Sequence, residues 1–412
     1  MLYRLLFIAL VTWHYGAGAQ QNEALEFEIT PSETVTVQDV VNAALSLSPD
    51  GLVVSSKEQN ADALSAKASS LFSDTPAISF QLQNDRYFSN QGMREYEGGV
   101  DLPLWMPGQK AASRQKARVS SREAEAYQDL VLFSVTGQVR EMLWEITLAD
   151  AALQQSRDNL KIAVDLDRDI SKKITAGNLP RRDELLSQKE IMSRKMALVE
   201  AEAEYIHAAR EYEAITGLLE MPAYFDEEVN HENDGESVPL LELAQAKVDF
   251  MEAQYRVSKS SWSRAPTLSV GVKRESGSFL DRNIDSFGVG FSVPLGSGVH
   301  MTSKRAAAAV ELAQAERENE LVKRDHRLHL HEAEHDLEVC EIQLPYSSSH
   351  FEMAQENLRL SQKAFDMGES DLIELLKVQE QYFQSSAENS QKIIECKRSI
   401  ARHNQIKGVL LP

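Results

Sequence analysis

The stretch YEGGVDLPL at residues 96–104 returns in altered form as FGVGFSVPL at residues 287–295. In both, apolar side chains alternate with polar residues or glycine, and a proline stands near the end. Alternation with a period of two is typical of a β-strand that has one apolar and one polar face. Each stretch follows a second alternating run, PAISFQLQ at 76–83 and PTLSVGVK at 266–273. The sequence therefore predicts two pairs of strands.

The strand pairs belong to a tandem duplication that covers most of the chain. Pro103 and Pro294 stand at the same offset as Gly177 and Gly368. The predicted organisation is a signal peptide at 1–19, a first repeat at 20–219, a linker at 220–237 and a second repeat at 238–412. Each repeat contains a helix, then a strand pair (76–84 with 96–105, and 266–273 with 286–294), then a helical hairpin (108–217, and 301–408).

The segment after each strand pair predicts a very long helix. Residues 111–173 contain one glycine, Gly137, no proline, and many residues that favour helix. A continuous helix there is about 90–100 Å long, which exceeds a globular core. In the second repeat, Pro345 predicts a kink. The predicted fold class is mainly α with a small antiparallel β part, in which duplicated long helical hairpins form an α-barrel.

Composition excludes several classes of function. The formal net charge of −20 disfavours nucleic-acid binding, which needs a basic surface. Two cysteines exclude both a disulfide framework and a thiolate zinc cluster. We find no nucleophile–base pair, phosphate-binding loop or cofactor fingerprint. The chain is therefore predicted to be no enzyme and to use no cofactor.

The first twenty residues, MLYRLLFIALVTWHYGAGAQ, predict export. Arg4 precedes a short apolar run, and Ala17-Gly18-Ala19 fits a cleavage site. In an exported chain, apolar strand faces at the end of such long helices have no globular core to cover them. They therefore predict strands of a transmembrane β-barrel. Four strands cannot close such a barrel, so several chains must share one, and a trimer with twelve strands is favoured.

The duplicated order of strand pair and hairpin resembles the TolC-like outer-membrane efflux channels, including their heavy-metal branch, over about residues 34–409. The resemblance also includes the two prolines above and the pattern G-x(5)-D/E-x-L at 177–185 and 368–376. It implies a homotrimer in outer-membrane lipid with a helical tunnel in the periplasm. It also implies two partners, a periplasmic adaptor and an inner-membrane pump of the resistance-nodulation-division or similar type. The cargo would be small solutes or metal cations, and a polypeptide secretion conduit is the alternative. No cysteine follows the signal peptide, unlike in lipidated members.

The resemblance also assigns roles to residues near the hairpin tips. Glycine permits the chain reversal there, and an exposed apolar side chain can fill a groove of a partner. The residues matched to adaptor-docking tips are Gly177, Asn178, Leu179, Gly368, Glu369, Ser370 and Leu372. The residues matched to a closed periplasmic gate are Asp183, Asp371 and Glu374. A ring of such carboxylates would attract cations.

One motif points to a different class of protein. His331, Glu332 and His335 fit H-E-x-x-H on a predicted helix, which in zinc proteases supplies two metal ligands and a general base. The alternatives are a periplasmic zinc peptidase, a weak metal site at His331 and His335, and ordinary surface histidines.

The two cysteines stand at equal distances from a predicted hairpin tip. Cys340 lies 28 residues before Gly368 and Cys396 lies 28 residues after it. In an antiparallel hairpin the two lie at one level, which allows a disulfide if their Cα atoms come within about 7 Å. The alternative is two small buried thiols.

Overall fold

The computed structural model describes residues 27–231, 235, 237–261, 264–295 and 297–410. The signal peptide predicted at 1–19 lies outside the described residues. The elements in chain order are β1 Thr30–Ser32, α1 Val37–Leu47, α2 Asp50–Ser69, β2 Ala77–Asn84, β3 Arg94–Pro103, α3 Gln109–Thr175, α4 Arg181–Thr216, β4 Glu220–Pro222, α5 Pro239–Ser260, β5 Thr267–Ser276, β6 Ile284–Ser292, α6 Ser297–Met367 and α7 Leu372–Ile406. The prediction of a mainly helical chain with a small antiparallel sheet is confirmed.

Two helices dominate the molecule. α3 has 67 residues and α6 has 71, so each is about 100 Å long. α6 continues through Pro345 as a single helix. Each long helix reverses at a glycine with positive φ, Gly177 at 81° and Gly368 at 76°, a conformation that side chains with a Cβ rarely adopt. No helix in the described part of the chain is both long and apolar enough to span a membrane.

The two hairpins, α3–α4 and α6–α7, pack against each other near their tips. A small cluster of apolar side chains, mostly buried, joins them: Leu166, Ile170, Phe365, Leu372 and Leu375. Lys173 of α3 also lies 2.9 Å from Asp366 of α6 at this level. Further from the tips, α7 packs directly on α3. The two hairpins are therefore held together near their tips by this cluster, which we call the apolar seam.

The four strands β2, β3, β5 and β6 form one antiparallel sheet in that order. The sheet lies at the N-terminal ends of α3 and α6, with short connections from β3 and β6 into those helices. β2 and β6 are its edges, and in the described residues neither edge has a further strand beside it. Because the chain contributes both edges, a second copy can extend the sheet on either side.

A second, smaller sheet was not predicted. β1 pairs in parallel with β4, with Thr30 opposite Glu220 and Ser32 opposite Pro222. This pair lies against the largest apolar cluster, which is formed mainly by α1, α3 and α4 around Val139, Leu143 and Tyr212. β4 occupies the start of the segment predicted to be the linker at 220–237.

Residues 223–231 of that linker pack between the two repeats. Phe225 contacts Trp144 of α3 edge-on, with ring centroids 4.8 Å apart. Glu227 accepts hydrogen bonds from Arg140 of α3 at 2.7 and 3.0 Å, and another from the side-chain amide of Asn404 of α7. Arg140 also donates to the carbonyl of Val409 at 2.9 Å. We call Arg140, Glu227, Asn404 and Val409 the junction cluster, because it joins both repeats and the segment between them.

Candidate functional site

The strand register collects the apolar side chains on one face of the sheet. Val100 pairs with Ile78 on one side and with Val270 on the other, and Val270 pairs with Val289. The same alignment places nine further apolar or glycine residues on this face: Phe80, Leu82, Tyr96, Gly98, Leu102, Leu268, Val272, Phe287 and Phe291. Near the strand ends this face also carries the charged residues Arg94, Arg274 and Asp285, of which Arg274 and Asp285 form an ion pair. We call this surface the apolar face.

No element of the described chain covers the apolar face. Phe80 is 74% exposed and Val289 is 63% exposed, and Ile78, Val272, Phe287 and Phe291 are also exposed. A contiguous exposed apolar surface of this kind marks a contact with lipid or with another protein. The alternation in the sequence thus produces a sheet with one apolar and one polar face. The structure shows in addition that the apolar face is exposed.

The opposite face of the sheet is polar and acidic. Its side chains include Gln81, Glu95, Glu97, Asp101, Ser269, Lys273, Glu275 and Ser286. Lys273 lies 3.0 Å from Glu95 and 2.8 Å from Glu275, so it neutralises part of the negative charge. A row of glycines crosses this face at Gly99, Gly271 and Gly288. A Cβ on Gly271 would lie 2.9 Å from the carbonyl oxygen of Gly98, so the row permits a close approach of β3 and β5.

The hairpin tips present fewer apolar side chains than predicted. Gly177, Asn178, Gly368 and Glu369 are exposed, whereas Leu179 and Ser370 are half-buried. Leu372 was predicted to be an exposed docking residue, but it is only 1% exposed and belongs to the apolar seam. Its place next to the turn puts it on the inner side of α7. The sequence cannot reveal this, because the same apolar spacing fits an inward or an outward stripe.

The carboxylates predicted to form a gate lie in different surroundings. Asp371 is exposed and caps α7, since its side chain accepts a hydrogen bond from the backbone N–H of Glu374 at 2.8 Å. Glu374 is also exposed. Asp183 is only 5% exposed, with Arg182 Nε at 3.5 Å from its Oδ1. Asp371 and Glu374 therefore stand on the surface of the tip, and Asp183 does not.

Two exposed apolar stripes were missed by the sequence reasoning. On α4, Leu185, Met192, Met196 and Val199 are exposed and recur at intervals of three to seven residues. On α6, Ile342, Tyr346, Met353, Leu360 and Met367 are exposed at intervals of four and seven residues. These intervals keep each set on one side of its helix. We call them the α4 stripe and the α6 stripe. The heptad spacing is readable in the sequence, but its exposure is not.

The H-E-x-x-H motif lies on an exposed part of α6. His331 and His335 are exposed, and their ring centroids are 6.5 Å apart. Glu332 lines a cleft of about 420 Å³ between α3, α6 and α7, which neither imidazole lines. Within the described ranges, no three His, Cys, Asp or Glu side chains converge to hold a metal ion. A zinc peptidase would need a third metal ligand, and it would need Glu332 to act at the same site as the two imidazoles. The described structure shows neither feature.

That cleft has a charged rim. Arg398 and Arg402 of α7 both donate to Glu141 of α3. Burial raises the pKa of Glu141, but the hydrogen bonds from the two guanidinium groups outweigh burial and hold it below its usual value. These ion pairs join α7 to α3 in addition to the packing between the two helices.

Cys340 and Cys396 form a disulfide between α6 and α7, with their Cα atoms 5.5 Å apart. The two residues are at one level of the hairpin, as the equal spacing from Gly368 requires. The bond lies about 28 residues above the tip, or about 40 Å along a helix.

His403 gives the stability of the molecule a dependence on pH. It is 4% exposed and its Nδ1 has no hydrogen-bond partner in the described structure. Burial lowers its pKa and nearby Lys407 and His231 add to this, while Asn404 and Glu334 act in the opposite direction. In the unfolded chain this imidazole binds a proton below about pH 6.5, whereas in the folded protein it does so only at a lower pH. The free energy of unfolding is therefore highest above pH 6.5 and decreases as the pH falls below that value.

We therefore expect the melting temperature of the purified protein to fall between pH 7.5 and pH 5.5. His403→Gln, which cannot titrate, should reduce the size of this fall even if its melting temperature at pH 7.5 is lower. An unchanged difference between the two pH values in His403→Gln would contradict the assignment.

Comparison with known proteins gives a consistent result for the fold. No family model matches the chain, and no curated protein matches it by sequence. Among solved structures, the CmeC outer-membrane channel of Campylobacter jejuni matches with a TM-score of 0.73 at 14% identity, over 98% of this chain and 94% of that one. The outer-membrane protein VceC of Vibrio cholerae matches with 0.72 at 12% identity, over 90% and 96%.

The open state of the MtrE outer-membrane channel of Neisseria gonorrhoeae matches with a TM-score of 0.67 at 13% identity, over 90% of this chain and 88% of that one. These matches include both repeats and extend over nearly the whole length of each channel. The chain therefore has the fold of the TolC-like outer-membrane channels.

Proposed function

We propose that this chain is the outer-membrane channel subunit of a tripartite efflux system. Three copies share one transmembrane barrel of twelve strands, and their helices form a tunnel through the periplasm. The channel is a passive conduit for small solutes or metal cations, and no step of chemistry is assigned to it. A periplasmic adaptor and an inner-membrane pump complete the system.

The open apolar face carries this proposal. Its strands have 8 to 10 residues, close to the length that spans a bilayer when tilted. The face opposite is polar and acidic, as the lining of a water-filled barrel requires. In a membrane barrel the apolar face contacts lipid and the polar face contacts water. A soluble sheet with this exposed apolar surface would aggregate.

The α4 and α6 stripes support assembly from several copies. Both lie in the hairpin region, and α4 and α6 have no helix packed on these sides in the described part of the chain. In a ring of identical chains, α4 of one copy can lie beside α6 of the next. This arrangement buries both stripes, and the edges β2 and β6 pair in the same way.

The first test is the mass of the detergent-extracted protein measured by light scattering, with conductance in planar bilayers. We expect a trimer that forms long-lived conducting pores. Met196→Glu places a charge within the α4 stripe and should reduce the trimer fraction at least about tenfold.

Ala197→Glu is the matched control, because Ala197 is exposed on the same helix but lies away from the α4 stripe. It should assemble as the wild type does. A monomer that stays soluble without detergent, or a trimer that never conducts, would contradict the proposed function.

A further inference from the structure

His331 and His335 form an exposed pair of imidazoles in the middle of α6. Their ring centroids are 6.5 Å apart and their planes are inclined by 30°. Within the described structure, neither ring has a hydrogen bond or an ion pair to a protein group. Their nitrogen atoms are therefore available to a ligand from solution.

The spacing of this pair suits chelation. Residues four apart on a helix lie on one face, one turn above the other. Imidazole nitrogens bind first-row transition metals, with zinc at about 2.0–2.1 Å. Two rings that share such an ion have centroids roughly 5 Å apart, so the pair must close by about 1.5 Å. Small side-chain rotations achieve this at an exposed site.

The surrounding charge favours a cation. Four carboxylates lie within the same two turns of α6: Glu332, Glu334, Asp336 and Glu338. They raise the local concentration of cations, although no third side chain of the described chain converges with the two rings. The site thus offers two protein ligands and leaves the remaining positions to water, which is the arrangement of an exchangeable rather than a structural site.

We propose that His331 and His335 of each chain chelate one divalent transition-metal ion of the zinc, copper or nickel class. The proposal concerns the surface of α6 and does not depend on the proposed channel function.

The experiment is a calorimetric titration of Zn²⁺ into the full chain, purified in detergent and stripped of metal, at pH 7.5. We expect one zinc per chain at this site. His331→Ala and His335→Ala should each weaken zinc binding at least about tenfold, since each leaves a single imidazole. His350→Ala is the matched control, since His350 is exposed on the same helix and has no histidine three or four residues away. It should bind zinc as the wild type does.

A second variant tests the geometry while keeping the number of histidines. His335→Ala combined with Asp336→His leaves two imidazoles five residues apart, which points them to different sides of α6. We expect zinc binding as weak as in His335→Ala, with an unchanged helical circular dichroism signal. Wild-type affinity in this variant or in His331→Ala, or an equal loss in His350→Ala, would overturn the proposal.

Discussion

Val289→Lys is expected to prevent assembly of the trimer in the outer membrane. Val289 lies on the apolar face, near the middle of the edge strand β6, and pairs with Val270. A lysine on the lipid side of a transmembrane strand costs about 2–4 kcal/mol near the middle of the bilayer. In a shared barrel this cost arises in each of the three chains. We expect the heat-modifiable trimer band in isolated outer membranes to fall at least tenfold relative to the wild type.

Gly290→Lys is the control, because Gly290 is the next residue of β6 and faces the polar side. It pairs with Ser269, whose hydroxyl donates to Asp101, so a lysine there meets water and a carboxylate. A Cβ on Gly290 comes no closer than 3.7 Å to any neighbour, which is ordinary van der Waals contact. This variant should form trimers. Equal loss in both variants would show that the two faces of β6 have the same surroundings, contrary to the proposal.

Removal of the disulfide should cause the largest loss of stability from a change outside the sheet. Cys340 and Cys396 are 56 residues apart in sequence. A cross-link that closes a loop of this length restricts the unfolded chain and stabilises the fold by about 4 kcal/mol in the chain-entropy account. We expect the double variant Cys340→Ser, Cys396→Ser to melt at a clearly lower temperature than the wild type, as followed by circular dichroism under non-reducing conditions.

A reducing agent provides the internal control for this prediction. It should lower the melting temperature of the wild type to that of the double serine variant, and it should leave the double serine variant unchanged. Peptide mapping without reduction should recover Cys340 and Cys396 in one linked fragment. Free thiols in that map, or a wild type that melts identically with and without reductant, would contradict the bond.

Much of the fold could be read from the sequence because its signals are long and repeated. The alternation through 76–104 and 266–295 set the faces of the strands, and the register then aligned those faces across the sheet. The absence of proline and the high content of helix-favouring residues in 111–173 were sufficient to predict α3. In contrast, β1 and β4 have three residues each, and both contain a proline. Three residues carry no measurable period, and their pairing depends on a contact across almost the whole first repeat.

The candidate sites were less predictable because they depend on exposure. Leu372 and Leu185 are both leucines near a hairpin tip, yet the first lies inside the seam and the second is exposed. Asp183 and Glu374 occupy matching positions of the two repeats, but only Glu374 reaches the surface. The spacing of these residues is the same in both halves of the chain, whereas the surroundings of each residue are set by what packs on it. The spacing of residues along the chain does not reveal that packing.

The junction cluster makes the two halves of the chain depend on each other. Arg140 comes from the first repeat, Glu227 from the connecting segment, and Asn404 and Val409 from the second repeat. The guanidinium group of Arg140 therefore has hydrogen-bond partners in both the connecting segment and the second repeat. A fragment that carries only one half of the chain therefore cannot assemble this cluster.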